Sequence, residues 1–190
     1  MKLLGCVVWL MCIGAAFSFL LEQQSRPFDE SGMYSHTQQA DLPTFLSIPL
    51  TRSNELKSSS KKQIIHWLDP QCGCYKFAKS LVLKQVLTAQ ADETHLVILK
   101  SSDTFWDKHE IANHTLSDSE YKQTQQFMPA SPAASINNSN NSTVSYLGPH
   151  NSGAYCGQGK SFIAIVMSNL RNGFDPQFVN VDESGCFCRW

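Results

Sequence analysis

An α/β domain built on a small mixed β-sheet is the fold class this sequence predicts, and two observations carry the prediction. Compact apolar runs of strand length alternate along the chain with stretches whose apolar residues recur at helical spacing. The order reads strand, helix, strand, helix, hairpin, helix, an alternation that lays helices against the faces of a sheet. Size is the second observation. A chain of 190 residues is one domain plus an appendage, and 42% hydrophobic residues supply a core for roughly 120–140 of them.

The appendage comes first. No charge interrupts Leu3 to Leu21, and Lys2 precedes the run. That length approaches the ~20 residues of a bilayer-spanning helix, and the lone lysine predicts an N-in orientation. Ala16-Phe17-Ser18 resembles a signal-peptide cleavage site, but Phe19-Leu20-Leu21 extend the apolar run past it. Residues 1–21 are therefore expected to form an uncleaved membrane-anchor helix that places the rest outside the cytosol. Cys6 and Cys12 act within it as small hydrophobes. Residues 22–42 are polar and aperiodic, the pattern of a tether. The domain is expected over 43–190.

Within it, Phe45–Leu50 reads as an edge strand because Pro49 lacks a donor. Gln63–Leu68 is a compact apolar strand closed by the turn Asp69-Pro70. From Tyr75 to Gln90, Phe77, Ala78, Leu81, Val82, Val86 and Leu87 recur at helical intervals between lysines. His95–Lys100 is the next strand. Ser117, with Glu120 three residues on, predicts a capped helix start. Pro129 and Pro132 end that helix, and Ala133–Ile136 and Thr143–Leu147 form a hairpin around Asn137–Asn141. Gly148–Gly159 is a loop holding His150 and Cys156. Phe162, Val166 and Leu170 mark a last helix, which Gly173 stops.

Cysteine usage points to the chemistry. Of seven cysteines, five lie beyond the apolar N-terminus, and four of those form the pairs Cys72-Gly73-Cys74 and Cys186-Phe187-Cys188. Each pair can close, open again, or hold a soft metal. The first follows a strand and precedes a helix, where unpaired N–H groups and the helix dipole stabilise a thiolate. A thiolate is the nucleophile of disulfide exchange, and Cys74 is near enough to resolve a mixed disulfide at Cys72. A permanent staple is the other reading of the same pair. The tail pair reads as a mobile arm that exchanges with Cys72-Cys74, or as a pin for the tail.

These residues carry a resemblance. His66-Trp67-Leu68-Asp69-Pro70-Gln71-Cys72-Gly73-Cys74 resembles a thioredoxin-type active site shortened by one residue, and Ser131-Pro132-Ala133 stands where that superfamily has its cis-proline. The Trp-x-Asp-Pro-x-Cys-x-Cys run, the loop from Gly148-Pro149 to Cys156-Gly157, and Gly185-Cys186-Phe187-Cys188 are together similar to an uncharacterised bacterial family. Its members are small, membrane-anchored, thioredoxin-like proteins. The resemblance covers Gln63 to Trp190. It implies a thioredoxin-like sandwich carrying a thiol–disulfide oxidoreductase without a cofactor. Cys72 and Cys74 would be catalytic, Pro132, Ser131 and Trp67 would shape the substrate groove, and Cys156, Cys186 and Cys188 would relay. It also implies a single-pass inner-membrane protein, its domain in the periplasm among protein thiols and disulfides. The missing residue relative to Cys-x-x-Cys leaves the direction of electron flow open.

Two other function classes fit the residues. Cys72, Cys74, Cys186 and Cys188 could chelate a soft ion such as Cu(I), or disulfides could brace a non-catalytic interaction module. Nucleic acid is not an expected partner at a net charge of −1. The Lys57–Lys62 cluster is brief and serine-diluted, a solvated turn. Ala154–Ser161 misses the phosphate-loop pattern at its first glycine, and too little chain follows for a nucleotide domain. His109-Glu110-Ile111-Ala112-Asn113-His114 spaces its histidines five apart, which puts them on different faces of a helix.

Overall fold

A computed structural model describes residues 2–24, 26–35, 62–138, 143–152 and 159–190. The expected strand Phe45–Leu50 and the loop cysteine Cys156 lie outside them. Helix α1 runs Lys2–Gln24, and its side chains are described from residue 5 to 19. Among the described residues no helix is long and apolar enough to cross a membrane.

The domain is mixed α/β, on a sheet of six strands. These are β2 (Lys62–Leu68), β3 (Glu93–Leu99), β4 (Asn113–Thr115), β6 (Ala133–Asn138), β7 (Thr143–Pro149) and β8 (Phe178–Val179), in the order β4-β3-β2-β6-β7-β8. β2 pairs parallel with β3 and antiparallel with β6, and β6 and β7 form the expected hairpin. β2 sits at the centre because Ile64 to Leu68 is apolar toward both faces, and all five residues are buried.

Pleat parity sends Ile64, His66 and Leu68 to one face and Ile65 and Trp67 to the other. On the first face lie α2 (Tyr75–Leu87), the one-turn α3 (Phe105–Lys108) and α5 (Phe162–Arg171). The inward stripe of α2 is Tyr75, Ala78 and Val82, while Phe77 and Leu87, expected in it, are exposed. Helix α5 is capped by Ser161, whose Oγ accepts from the Ala164 N–H at 3.2 Å, and buries Ile163, Val166, Met167 and Leu170. Gly173 follows in the left-handed region at φ 80°, the stop expected there.

The opposite face is closed differently. Helix α4 (Asp118–Thr124) starts with the expected capping box, Ser117 and Glu120 each bonding the other's backbone N–H. Beside it both ends of the domain fold over the sheet. β1 (Arg26–Pro27) pairs with β9 (Ser184–Gly185), and β10 (Cys188–Arg189) pairs with β5 (Ala130–Ser131). Phe28 is 1% exposed in the same core cluster as Trp67 and Trp190. The Tyr34 hydroxyl donates to the Phe127 carbonyl. Part of the expected tether, 26–35, is thus a layer of the domain. Apolar Phe28 and Tyr34 drive it there, and Asp29 folds the turn by accepting the Met33 and Tyr34 N–H groups.

Candidate redox site

Strand β2 ends at Leu68, and α2 begins at Tyr75 after six intervening residues. Asp69 organises the turn between them. Its carbonyl accepts the Cys72 N–H at 2.9 Å, and its Oδ1 accepts the Gln71 N–H at 2.9 Å. Its own N–H donates to Ser131 Oγ at 2.9 Å, which ties the turn to the Ser131-Pro132 segment. Asp69 is buried, and Lys100 Nζ stands 3.0 Å from its Oδ2. Burial would lower the Lys100 pKa, but the Asp69 carboxylate and the Tyr121 hydroxyl outweigh it and raise it. Sequence reading took Asp69-Pro70 as punctuation. Its role as the ion-paired hub was missed, and a carboxylate closing an apolar strand beside a cysteine was the available signal.

Cys72 precedes the helix by a turn, its carbonyl accepting the Tyr75 N–H at 2.9 Å, and Cys74 is the N-cap residue. No side chain caps this helix start, and Cys74, whose carbonyl accepts the Phe77 and Ala78 N–H groups, is the cysteine nearest the positive end of the helix dipole. Neither Cys-x-Cys pair closes on itself. Cys72 bonds Cys188, and Cys74 bonds Cys186. Of the two expectations for the tail, the pin is the arrangement observed. Cys72 and Cys74 are 6% and 2% exposed, whereas Cys186 and Cys188 are half-buried.

The tail lies along a segment of special geometry. Cys188 is in register with Ser131, the Ser131–Pro132 peptide is cis, and Cys72 Sγ lies 3.7 Å from the Ser131 carbonyl oxygen. The expected groove residues Ser131 and Pro132 therefore stand beside the sulfurs, with the tail strand over them. Trp67 does not line a groove. It is 0% exposed, donates to Ser135 Oγ at 3.0 Å and meets Phe127 and Trp190 edge-on. The resemblance implies Trp67 in the groove, but strand alternation turns it to the face opposite Leu68. Trp190 completes the seal, its Nε1–H donating to Thr124 Oγ1 at 2.8 Å.

Residues 44–190 match a domain of unknown function, DUF6436. The chain belongs to that family. No curated protein matches it. In this DUF6436 protein all four motif cysteines are inside the matched span, while the 26–35 layer precedes it.

Two other features bear on the chemistry. Among the described residues no group of three or more histidines, cysteines or carboxylates is arranged to hold a metal ion, and thiols tied in disulfides are not metal ligands. A histidine layer lies under the helical face, beyond what sequence reading found. His66 Nε2 and His95 Nδ1 are 2.9 Å apart, and the His66 ring meets His150 edge-on at 5.2 Å. His150 Nε2–H donates to the Ala133 carbonyl at 2.6 Å. Burial, then repulsion from His150 and His95, holds the His66 pKa well below the usual imidazole value. Burial pushes His150 down to about 4, and burial also lowers His95, against the Glu93 carboxylate. All three stay neutral at pH 7.

Proposed function

We propose that this DUF6436 protein is a thiol–disulfide oxidoreductase of thioredoxin-like fold whose own C-terminal tail carries the second dithiol. The observation that supports this most strongly is the convergence of four cysteines on one end of the sheet. Two stand at a strand-to-helix junction and two on the tail, Cys186 just before β10 and Cys188 within it, each bond joining one to the other. The strand, cysteine turn, helix and Ser131-Pro132 segment agree with the resemblance to the thioredoxin superfamily. β10 lies on β5 as a partner's extended segment would, adding a strand to a free edge.

In one direction a partner dithiol gives two electrons and two protons to Cys72–Cys188 and leaves as a disulfide. In the reverse direction the reduced Cys72 and Cys188 return them to a partner disulfide, which leaves as a dithiol. Cys72 makes the attack when the pair is reduced, and Cys74, at the helix N-cap, is the thiol whose anion the helix dipole favours. Two disulfides fit an oxidising compartment. An exported or anchored placement by residues 2–24 fits the same compartment, and alkaline extraction of membranes tests it.

One observation favours a rival. Cys72 and Cys74 are buried under a tail that Trp190 holds down, as expected of staples in an interaction module. Redox equilibration of the full chain in graded glutathione or dithiothreitol decides between them, with thiols trapped by alkylation and mapped by peptide mass. The oxidoreductase reading expects both bonds to open between about −120 and −300 mV. Bonds that survive below that range are staples, and the reading falls.

A further inference from the structure

Beside the tail disulfide is a cavity of about 410 Å³, lined in part by Arg26, Phe28, Glu30, Phe187, Cys188 and Arg189. Its volume is within the span of ligand pockets, on the order of 300–1,000 Å³. Its walls come from β1 with the turn after it, from the tail at β10, and from Pro129 and Ala130 between them. Cys72, Cys74 and Cys186 are not among its lining residues.

Resting on the oxidoreductase reading, we infer that this cavity receives an anionic thiol, a peptide thiol flanked by carboxylates, and that Cys188 is the sulfur it attacks. Access is the first argument. Exchange needs a clear approach to one sulfur of the bond. Cys188 is half-buried and lines the cavity, whereas its partner Cys72 is 6% exposed. The leaving group is the second. Attack at Cys188 expels the Cys72 sulfur, two residues before the α2 N-cap and so nearer a helix N-terminus than Cys188. A leaving thiol of lower pKa departs faster. Attack at Cys72 would instead expel Cys188 from an edge strand with no helix behind it.

Charge sets the class of thiol. Arg26 and Arg189 face the cavity against the single carboxylate of Glu30. The neighbouring Asp29 carboxylate is turned to the Met33 and Tyr34 N–H groups and the Ser31 hydroxyl. The net positive wall favours a thiol bearing carboxylates.

The exchange balances. A thiolate RS⁻ forms an S–S bond to Cys188 as the Cys72–Cys188 bond breaks, and the Cys72 thiolate takes a proton from water. A second RS⁻ attacks the R sulfur of the mixed disulfide, giving RSSR and the Cys188 thiolate. Two thiols are oxidised and one disulfide is reduced.

The test uses the oxidised full chain with glutathione as the anionic probe, 2-mercaptoethanol as the neutral one and cysteamine as the cationic one, at low salt. Adducts are trapped by acid and mapped by mass. The expected first adduct is glutathione on Cys188. Arg26→Gln and Arg189→Gln should each slow the glutathione reaction roughly two- to five-fold and leave the neutral thiol unchanged. Glu30→Gln should speed it and slow cysteamine. A first adduct on Cys72, Cys74 or Cys186, or rates indifferent to all three substitutions, overturns the inference and leaves the oxidoreductase reading standing. Bonds that resist dithiothreitol as well overturn both.

Discussion

The two faces of the sheet are closed by different means. One is covered by α2, α3 and α5, helices that follow closely on the strands they cover, and their apolar stripes meet Leu68, Val97, Leu99, Ile64 and Ile136. The other is covered by α4 and by the two ends of the domain, Phe28 and Tyr34 from one and Phe187 and Trp190 from the other. The helical face is marked by the apolar stripes of its helices, even where α5 meets Ile64 from far along the chain. The opposite face depends on the two ends of the domain meeting, a closure with a large chain-entropy cost, which the two disulfides offset.

That contrast breaks first at the cysteines. The bonds span separations of 116 and 112 residues, and either one closes the large loop. Removing one bonded pair by serine substitution should therefore cost only about 2 kcal/mol, the entropy of the small ring that is lost while the large loop stays closed. Removing both should cost about 7 kcal/mol. Urea unfolding of the single and double variants would show this strong non-additivity. Equal, additive losses would mean the two bonds do not share one closure.

Next in size is Trp190→Ala, which removes a buried indole that meets Trp67 edge-on and bonds Thr124. It should cost about 3–5 kcal/mol and raise the alkylation rate of reduced Cys72, since the tail no longer holds. A core loss in α5, Val166→Ala in the separate cluster around Ile64, should leave that rate alone.

Acid tests the helical face. The folded pKa values of His66, His95 and His150 lie below the unfolded imidazole value near 6.5. Unfolding then takes up protons, so the stabilisation is complete above about pH 6.5 and declines as pH falls toward 4. His150 alone, depressed to about 4, should contribute about 3 kcal/mol of that decline. His150→Gln should flatten the melting temperature between pH 6.5 and 4. An unchanged slope would remove His150 from the account.

The smallest effects come from the helix caps. Ser161→Ala and Ser117→Ala each lose a side-chain bond to a helix N–H and should cost about 1 kcal/mol. Hydrogen exchange should show each loss confined to its own face.

The contrast also governs what could be read in one dimension. Ile64–Leu68, the Tyr75 helix start, the hairpin from Ala133, the Ser117 cap and Gly173 all carry local signals, and the structure has each of them. Phe28 and Tyr34 sit singly in polar sequence, with no period to mark them, so a packed layer reads as a tether. Cysteines two apart suggest a bond between neighbours. Pairing Cys72 with Cys188 depends on β10 reaching β5, which no local pattern encodes. His66 falls in an apolar run and His95 opens another, yet only the parallel pairing of β2 with β3 places them in contact.

The two cross-links also make the chain from Cys74 to Cys186 a closed circuit. A protease that cuts one peptide bond anywhere within it yields two fragments that remain one molecule, held by sulfur as well as by the sheet. The oxidised domain should therefore tolerate a single nick without dissociating, and shed a piece only when a reductant opens both links.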